Sequence, residues 1–413
     1  MSARPVPFLH VYFAFAAGYL FSYLLRTVNA VISPELTRDL GLSSGSLGLL
    51  TSAYFVAFAA MQIPAGMLLD RYGPRRVEPV LLALGGAGTL AFALADGVTG
   101  LLVARALIGL GVAVCLMAPL KAISAWYPPE KQASLAGWIM VAGGVGALAA
   151  TTPVEFALRF MSWRGVFVAL SVFAFAVAAW IWWRVPDTAH PVASGGFAAQ
   201  WAGVRTVFGD PRFWWIAPLG AFGMGSFMAI QGLWSVPWLM EVDGYDRAVA
   251  AQHLLAMSAV ILGGYVLLGM FATRLARRGI HARHLFALGF ALNGLALAAI
   301  VAHVPGSIVW WSLYGLGAAV NILAFTVLGD GFPRALAARA NTALNLLMFV
   351  GSFVTQWGIG VIIDATRSGT GADVAGGLQR AFTLVLALDA LTYAWLLLGW
   401  KRHAVHRSTA TAG

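Results

Sequence analysis

The first hydrophobic stretch of the chain carries polar side chains that could bind a negatively charged molecule. Arg26 lies within an apolar run, where a charged side chain is costly and usually faces a partner or a water-filled cavity. Separations of 7, 4, 3, 3 and 4 residues place six polar side chains on one face of a helix: Tyr12, Tyr19, Tyr23, Arg26, Asn29 and Ser33. We expect this face to line a cavity, and the alternative is that Arg26 snorkels to the membrane surface.

The sequence around this stretch is typical of an all-α membrane protein with many spans. Of the 413 residues, 60% are hydrophobic and 10% are charged, whereas soluble domains carry about 25% charged residues. Apolar runs of about 20 residues, long enough to cross a bilayer, recur along the chain. We number the twelve predicted spans in chain order: 8–32, 45–69, 78–95, 99–125, 134–157, 164–183, 213–238, 250–273, 284–303, 307–329, 341–363 and 380–400.

Basic residues are distributed unevenly between the two ends of these spans. The formal net charge is +10, and 17 of the 26 Lys and Arg residues lie in the terminal segments and in the loops that follow even-numbered spans. This bias predicts that those segments, and both termini, are cytoplasmic. We therefore expect a multi-pass protein of a bacterial inner membrane that contacts lipid and has no nucleic-acid partner.

One long connection divides the spans into two sets of six. It covers residues 185–212 and begins with prolines and a pair of glycines. The segments GMLLDRYGPRR at 66–76 and GMFATRLARRG at 269–279 follow spans 2 and 8 and share glycine and arginine positions, which indicates an internal repeat. The predicted organisation is an N-terminal bundle at 1–184, a cytoplasmic linker and a C-terminal bundle at 213–413.

The segment GMLLDRYGPRR resembles the signature between spans 2 and 3 of the major facilitator superfamily, G-x3-D-[RK]-x-G-[RK]-[RK]. The matching residues are Gly66, Asp70, Arg71, Gly73 and Arg75 or Arg76, with Pro74 as the departure. The resemblance implies twelve transmembrane helices in two six-helix pseudo-repeat bundles. It also implies that these residues form a gating latch, in which Gly66 permits close helix contact and Gly73 makes the turn.

Two further segments bear on the comparison with this superfamily. RALIGLG at 105–111 is similar to its fourth-span Arg-x-x-x-Gly-x-Gly element, which links Arg105 with proton coupling or substrate contact. The alternative for Arg105 is a structural arginine that donates to backbone carbonyls. Span 5 has AATTPVEF at 149–156 where the drug/proton antiporters of the family have a Gly-Pro pair, which disfavours a drug antiporter.

The resemblance places a substrate site between the two halves, lined chiefly by spans 1, 4, 7 and 10. YLLR in span 1 is similar to the organophosphate/phosphate antiporters of the family, in which the arginine binds the substrate anion. This chain has Gln62 where those antiporters have a second-span lysine, and its span 7 has no charged residue. Because a phosphate dianion usually needs two cationic groups or a dense ring of donors, we expect a small organic monoanion such as a monocarboxylate.

The candidate substrate-binding residues are tyrosine, amide and tryptophan side chains that accompany Arg26. Lone amides in membrane helices often hydrogen-bond neighbouring helices instead, which is the alternative for each of them. The candidates are Tyr19, Tyr23, Arg26, Asn29, Gln62, Gln231, Trp234, Tyr314, Asn321, Asn345 and Gln356.

Acidic residues inside the spans are candidates for proton binding. Glu155 in span 5 joins Arg105 as a candidate coupling residue, and a pair with Arg159 one turn away is its alternative. Asp389 in span 12 is expected to make a structural pair. Proton coupling is our expectation, although the residues do not identify the ion.

No enzyme, cofactor or metal site is predicted. The sequence lacks H-E-x-x-H and the phosphate-binding loop G-x-x-x-x-G-K-[ST], and its single cysteine, Cys115, cannot form an intrachain disulfide. We expect a monomeric secondary transporter for a small solute that works by alternating access. The alternatives are an efflux antiporter for a metabolite or drug, and a transport-inactive membrane sensor or scaffold.

Overall fold

The computed structural model describes residues 8–187, 197–329, 331–371 and 373–410. In these residues twelve helices are long and apolar enough to cross a membrane, one for each predicted span, so the predicted fold class is confirmed. Residues 188–196 of the predicted linker lie outside the described residues, and the helix Phe197–Phe208 follows them. The predicted domain boundaries stay a prediction.

The first six spans contain eight helices because two spans are interrupted. Span 4 loses α-helical geometry between Val112 and Met117, and span 5 does so at Ala150 and Thr151. The helices are Phe8–Leu40 (span 1), Ser44–Tyr72 (span 2), Pro74–Leu94 (span 3), Val98–Val112 and Met117–Trp126 (span 4), Pro129–Ala149 and Thr152–Ala157 (span 5), and Trp163–Arg184 (span 6).

Among the last six spans, span 7 has an unusual backbone. Its α-helix contains two π-helical segments, which are rare and frequently found at functional sites. The segments of span 7 are Pro211–Pro218, Leu219–Met224 (π), Gly225–Ala229, Ile230–Trp234 (π) and Ser235–Glu241. The later helices are Arg247–Arg277 (span 8), Ala282–Val301 (span 9), Ser307–Ala319, Val320–Ile322 (3₁₀) and Leu323–Gly329 (span 10), Arg334–Thr370 (span 11) and Val374–Ala410 (span 12).

Span 1 is longer than predicted, since its helix continues through Pro34 to Leu40. A proline inside a helix leaves the carbonyl four residues earlier without its usual N–H donor. In this helix that carbonyl belongs to Ala30, and the hydroxyl of Ser33 donates to it at 2.9 Å. Ser33 therefore repairs the backbone of span 1 and does not project into the predicted cavity.

Glycine residues let equivalent pairs of spans pack closely in both halves. A Cβ added at Gly111 of span 4 would overlap the backbone of Gly85 in span 3. In the second half, a Cβ at Gly317 of span 10 would overlap the backbone of span 9 at Gly289. Spans 3 and 4 correspond to spans 9 and 10 in the predicted repeat, so the two halves use the same small-residue packing.

We expect Gly111→Ala to lower the thermal stability of the purified protein, because the added methyl group must separate spans 3 and 4. Overpacking of this kind costs about 1–3 kcal/mol. Gly294→Ala is the matched control, since a Cβ at Gly294 in span 9 would meet open space. Thermal unfolding in detergent should show a lower midpoint for the first variant only, and equal midpoints would contradict the packing assignment.

Candidate functional site

Arg26 lies between the two halves of the bundle. Its guanidinium carbon is 4.5 Å from the centre of the Tyr23 ring, 5.3 Å from that of Phe58 and 5.7 Å from that of Phe349. These rings belong to spans 1, 2 and 11, so aromatic side chains of both halves surround the cation. Each such contact contributes about 0.5–2 kcal/mol, and Arg26 faces the interior of the bundle.

The cation at Arg26 has no negatively charged partner among the described residues. Its Nε is buried without a hydrogen-bond acceptor. The hydroxyl of Tyr54 lies close enough to interact with the guanidinium of Arg26, and it has no other hydrogen-bond partner among the described residues. A positive charge and polar atoms that lack partners in one place are the features expected of a site that receives an anion.

Arg105 supports span 1 from inside the first half. Its side chain is fully buried, and Nη1 donates to the carbonyl oxygen of Leu25 at 3.1 Å. Leu25 precedes Arg26 in the chain, so Arg105 holds the backbone next to the Arg26 cation. This contact is the kind that the alternative for Arg105 predicts, a structural arginine that donates to a backbone carbonyl. A role of Arg105 in coupling stays a prediction.

Besides Tyr54, three tyrosine side chains lie near Arg26. The ring centres of Tyr19 and Tyr23 are 5.1 Å apart with the rings nearly perpendicular. Tyr265 of span 8 lies close enough to Tyr23 and Arg26 to interact electrostatically with both. Sequence reasoning missed Tyr265, since its position depends on how the second half docks onto span 1.

Amide side chains from both halves extend the polar region along spans 2 and 11. Asn345 donates to the Oε1 of Gln62 at 3.3 Å, which joins the halves directly. Gln356 is fully buried, and neither its Oε1 nor its Nε2 has a hydrogen-bond partner. Trp234 of span 7 donates to the backbone carbonyl of Gln356 at 2.9 Å. The predicted residues of spans 2, 7 and 11 are thus held in contact in two pairs.

Asn29 occupies a different position from the other predicted residues of span 1. It is fully buried and donates to the hydroxyl of Thr51 in span 2 at 3.0 Å. Three residues in an α-helix fall about 60° short of a full turn, so Asn29 turns from the Arg26 side toward span 2. Asn29 therefore fastens two helices of the first half.

The remaining predicted residues lie in the second half. Tyr314 is fully buried, with its ring centre 5.1 Å from that of Phe227. Asn321 is in the 3₁₀ segment of span 10, and its Oδ1 is buried without a partner. Gln231 lies half-buried in the second π segment of span 7. Their assignment to the substrate site stays a prediction.

Ion pairs join the two halves where span 1 finishes, at what we call the Glu35 end of the bundle. Arg247 at the start of span 8 pairs with Glu35 of span 1, and it lies 3.7 Å from Glu155 of span 5. Glu155 also accepts hydrogen bonds from Arg159 at 3.2 and 3.0 Å. Glu155 therefore belongs to a cluster of charges between the halves, and its coupling role stays a prediction.

A second carboxylate connects spans 2 and 11 at the Glu35 end. Asp364 accepts hydrogen bonds from the backbone N–H groups of Ser44 at 3.1 Å and Gly45 at 2.8 Å. These amides lie in the first turn of span 2, where the helix dipole favours a negative charge. Gly360 faces the same turn, and a Cβ there would overlap the carbonyl of Ser44. The Glu35 end is thus closed by contacts between the halves.

The predicted latch lies at the other end of the bundle, the Asp70 end, and its ion pairs stay within the first half. Asp70 of span 2 pairs with Lys121 of span 4. Arg76 contacts Asp187 at 2.8 Å and Arg75 lies 3.7 Å from the same carboxylate. The motif therefore ties spans 2, 3 and 4 to the end of span 6.

The other latch residues show where the motif departs from expectation. Gly73 has a φ of 77° and ends span 2, so the predicted turn is confirmed. The guanidinium carbon of Arg71 is 5.2 Å from the ring centre of Tyr72. A Cβ at Gly66 would meet open space, so the close helix contact predicted at Gly66 is not made in this conformation.

With twelve spans and the Arg26 cation between its two halves, the protein belongs to the class of helical membrane proteins that are built from two bundles. The model of the Major Facilitator Superfamily matches residues 15–356, and the chain belongs to that superfamily. The family predicted from the latch motif is therefore confirmed.

Several transporters have similar sequences. The hexuronate transporter of Escherichia coli (strain K12) is 29% identical over 274 residues, which are 60% of this chain and 62% of that protein, less than two thirds of its length. The galacturonate transporter of Dickeya chrysanthemi is 28% identical over 276 residues, 60% of this chain and 78% of that protein. The probable galactarate/D-glucarate transporter GudP of Escherichia coli (strain K12) is 22% identical over 404 residues, 88% and 89% of the two chains.

Two solved structures share the fold. A bacterial homologue of the human lysosomal transporter Spinster, in an inward-facing and unoccupied conformation, superposes with a TM-score of 0.76 at 20% identity and covers 96% of this chain and 97% of its own. The D-xylose-proton symporter gives a TM-score of 0.71 at 15% identity and covers 94% and 97%. At 15–20% identity, the similarity to these structures concerns the fold alone. The superfamily and the relatives with similar sequences are transporters and not enzymes, as the sequence predicted.

Arg247→Gln should loosen the Glu35 end, because it removes the cation that pairs with Glu35 and approaches Glu155 from the other half. Spin labels at Thr37 and Tyr245, one on each half, should report a longer separation in this variant than in the wild type. Arg38→Gln is the matched control, since the Arg38 side chain is 75% exposed and pairs with its neighbour in span 1. An unchanged distance distribution in Arg247→Gln would show that the ion pairs do not hold this end closed.

Proposed function

We propose that the protein is a secondary transporter that moves a small organic monoanion, a hydroxylated monocarboxylate, by alternating access. The observation that carries this proposal is the guanidinium group of Arg26, which is held between the two halves by aromatic rings and has no carboxylate partner among the described residues. Membership of the superfamily and the similarity to named transporters support it.

The charge of the site favours an anion over a neutral or cationic solute. Arg26 lies between the two halves, within the membrane-spanning region, without an acidic partner in the described residues. Charge in such a setting is costly unless it is paired. A bound carboxylate would supply the missing negative charge, whereas a cation would add to the repulsion.

The uncharged polar groups near Arg26 favour one carboxylate on a body rich in hydroxyl groups. A single guanidinium can hold one carboxylate through two parallel hydrogen bonds. The tyrosines beside it and the unpartnered amide of Gln356 can donate to and accept from hydroxyl groups. Hexuronate and galacturonate, named for two of the relatives, are monocarboxylates with several hydroxyls and fit this pattern.

We further infer that the Asp70 end faces the cytoplasm of a bacterium, with both termini on that side of the inner membrane. The excess of Lys and Arg in the segments at this end supports the orientation. In this orientation the contacts at Arg247 and Asp364 close the outer side. We propose that a monomer is the working unit and that a proton is the coupling ion.

Arg26→Ala should weaken binding of D-galacturonate, because a charge-assisted hydrogen bond is lost. Such bonds contribute about 1.5–3 kcal/mol, which corresponds to a Kd about 10- to 100-fold higher. The Kd of Arg26→Lys should lie between those of the wild type and Arg26→Ala, since lysine keeps the positive charge but cannot form two parallel hydrogen bonds to one carboxylate. Calorimetric titration of the purified protein measures each Kd.

Arg38→Ala serves as the control for this series because Arg38 is an exposed arginine on the same helix. It should bind D-galacturonate like the wild type. If Arg26→Ala binds as tightly as the wild type, Arg26 is not the anion site. If wild-type liposomes show no counterflow of any monocarboxylate, the transport proposal itself fails and a sensor or scaffold role is favoured.

The presence of a single arginine at the site predicts a preference for singly charged acids. Unlabelled D-galacturonate should compete with labelled D-galacturonate in counterflow more strongly than galactarate, the corresponding dicarboxylate, and the neutral sugar D-galactose should compete least. The second carboxylate of galactarate would enter a region of amides and aromatic rings without a cation. Stronger competition by galactarate would overturn the assignment to monoanions.

A further inference from the structure

A carboxyl group inside the first half has no partner in the described structure. Glu78 in span 3 is fully buried, and neither of its carboxyl oxygens has a hydrogen-bond donor. An ionised carboxylate at this position would lose its hydration without gaining a hydrogen bond or an opposite charge, and the free energy of burying it would be very high. The neutral, protonated form is the one that this environment accommodates.

Glu78 is close to the Asp70 end although it is covered. Span 3 begins at Pro74, and four residues of helix place Glu78 about 6 Å further along the axis. Part of the cover is span 1 at Gly18, where an added Cβ would meet the Oε1 of Glu78. A displacement of span 1 would therefore uncover the side of the carboxyl group that Gly18 now contacts.

The groups that face Glu78 do not include a free cation. The thiol of Cys115, at the interruption of span 4, lies close enough to interact electrostatically with Glu78. The nearest basic side chain along span 4 is Lys121, which pairs with Asp70 of span 2. Span 1 presents Gly18 to the carboxyl group. No described basic residue neutralises Glu78, so its charge state depends on a proton.

The other buried acids have partners. Glu155 lies between Arg159 and Arg247. Asp389 accepts a hydrogen bond from the hydroxyl of Ser226 in span 7, at 2.9 and 3.1 Å from its two oxygens. Glu78 is thus the buried carboxyl group of the described chain whose oxygens are both unpaired, and it touches the helix that carries Arg26.

We propose that Glu78 is a proton-binding site of the transport cycle and that the position of span 1 controls its occupancy. The proposal rests on the transport function inferred above. In the conformation described here, span 1 covers Glu78 and the carboxyl group holds its proton. When span 1 moves, the O–H bond breaks, the proton passes to water and the carboxylate is solvated. Gly18 and Arg26 are eight residues apart on one helix, so anion binding and proton release act on the same rigid element.

Infrared spectroscopy tests the protonation without any substrate. Purified wild-type protein at neutral pH should show the C=O stretching band of a protonated carboxylic acid, and Glu78→Gln should lose the part of this band that belongs to Glu78. Asp389→Asn is the matched control, and it should leave that part in place. If Glu78→Gln does not fold, Glu78→Leu replaces the carboxyl group with an apolar side chain that needs no partner. A spectrum in which neither Glu78 variant removes a protonated carboxyl band would overturn the proposal.

Transport of labelled D-galacturonate tests the coupling. Glu78→Gln should retain counterflow, which shows that it is folded and binds substrate, but it should no longer accumulate D-galacturonate above equilibrium in response to a pH gradient. Accumulation equal to that of the wild type would contradict a coupling role for Glu78. If the wild type shows no counterflow of any monocarboxylate, the proposed function fails, whereas the infrared result still decides whether Glu78 holds a proton.

Discussion

The Arg26 guanidinium is a positive charge inside a membrane span, and it has no acidic partner among the described residues. The rest of this structure is constrained by that charge. The guanidinium of Arg26 cannot be solvated by lipid, and the described residues offer it no carboxylate. Aromatic rings from spans 1, 2 and 11 face it instead. They stabilise the charge through their quadrupoles and leave hydrogen-bond donors available. The rings therefore stabilise the cation between the halves without neutralising it. Because the charge stays uncompensated, an anion that binds beside it would gain a large electrostatic attraction.

Span 1 connects this charge to the other features of the first half. Arg105 holds its backbone at Leu25, immediately before Arg26. Gly18, two turns earlier, lies against Glu78, and Glu35 near its far end pairs with Arg247 of the second half. The helix is free of proline from Gly18 to Arg26 and contains Pro34 just before Glu35, so a change at Gly18 or Arg26 is transmitted most directly between those two points. The energetics of the anion, the buried acid and the closed end are therefore expected to depend on one another through this helix.

The sequence predicted the parts of the structure that depend on one helix at a time. The number of spans, the turn at Gly73 and the interior position of Arg26 follow from apolar length, backbone conformation and the cost of charge in lipid. The hydrogen bond from Asn29 to Thr51 could not be read from span 1 alone, because it depends on where span 2 packs, and a substrate role of Asn29 stays a prediction. Tyr265 and the pairing of Arg247 with Glu35 depend on contact between the halves, which no local pattern encodes. Glu78 stands out only through what surrounds it, since five residues after the latch glycine it reads as an ordinary residue at a helix start.

The two ends of the bundle are held by different kinds of contact, and this difference bears on how the anion acts. At the Glu35 end, Arg247 and Asp364 reach across the halves, so opening this end separates charges that now compensate one another. At the Asp70 end, the ion pair of Asp70 with Lys121 lies within one half and survives a movement between halves. An empty site keeps the Arg26 charge uncompensated in both states, whereas a bound carboxylate neutralises it and lowers the cost of enclosing it behind either end. Under the proposed function, the anion would therefore stabilise the closed intermediates of the cycle more than the open ones, which is the differential interaction that a ligand needs to shift a conformational equilibrium.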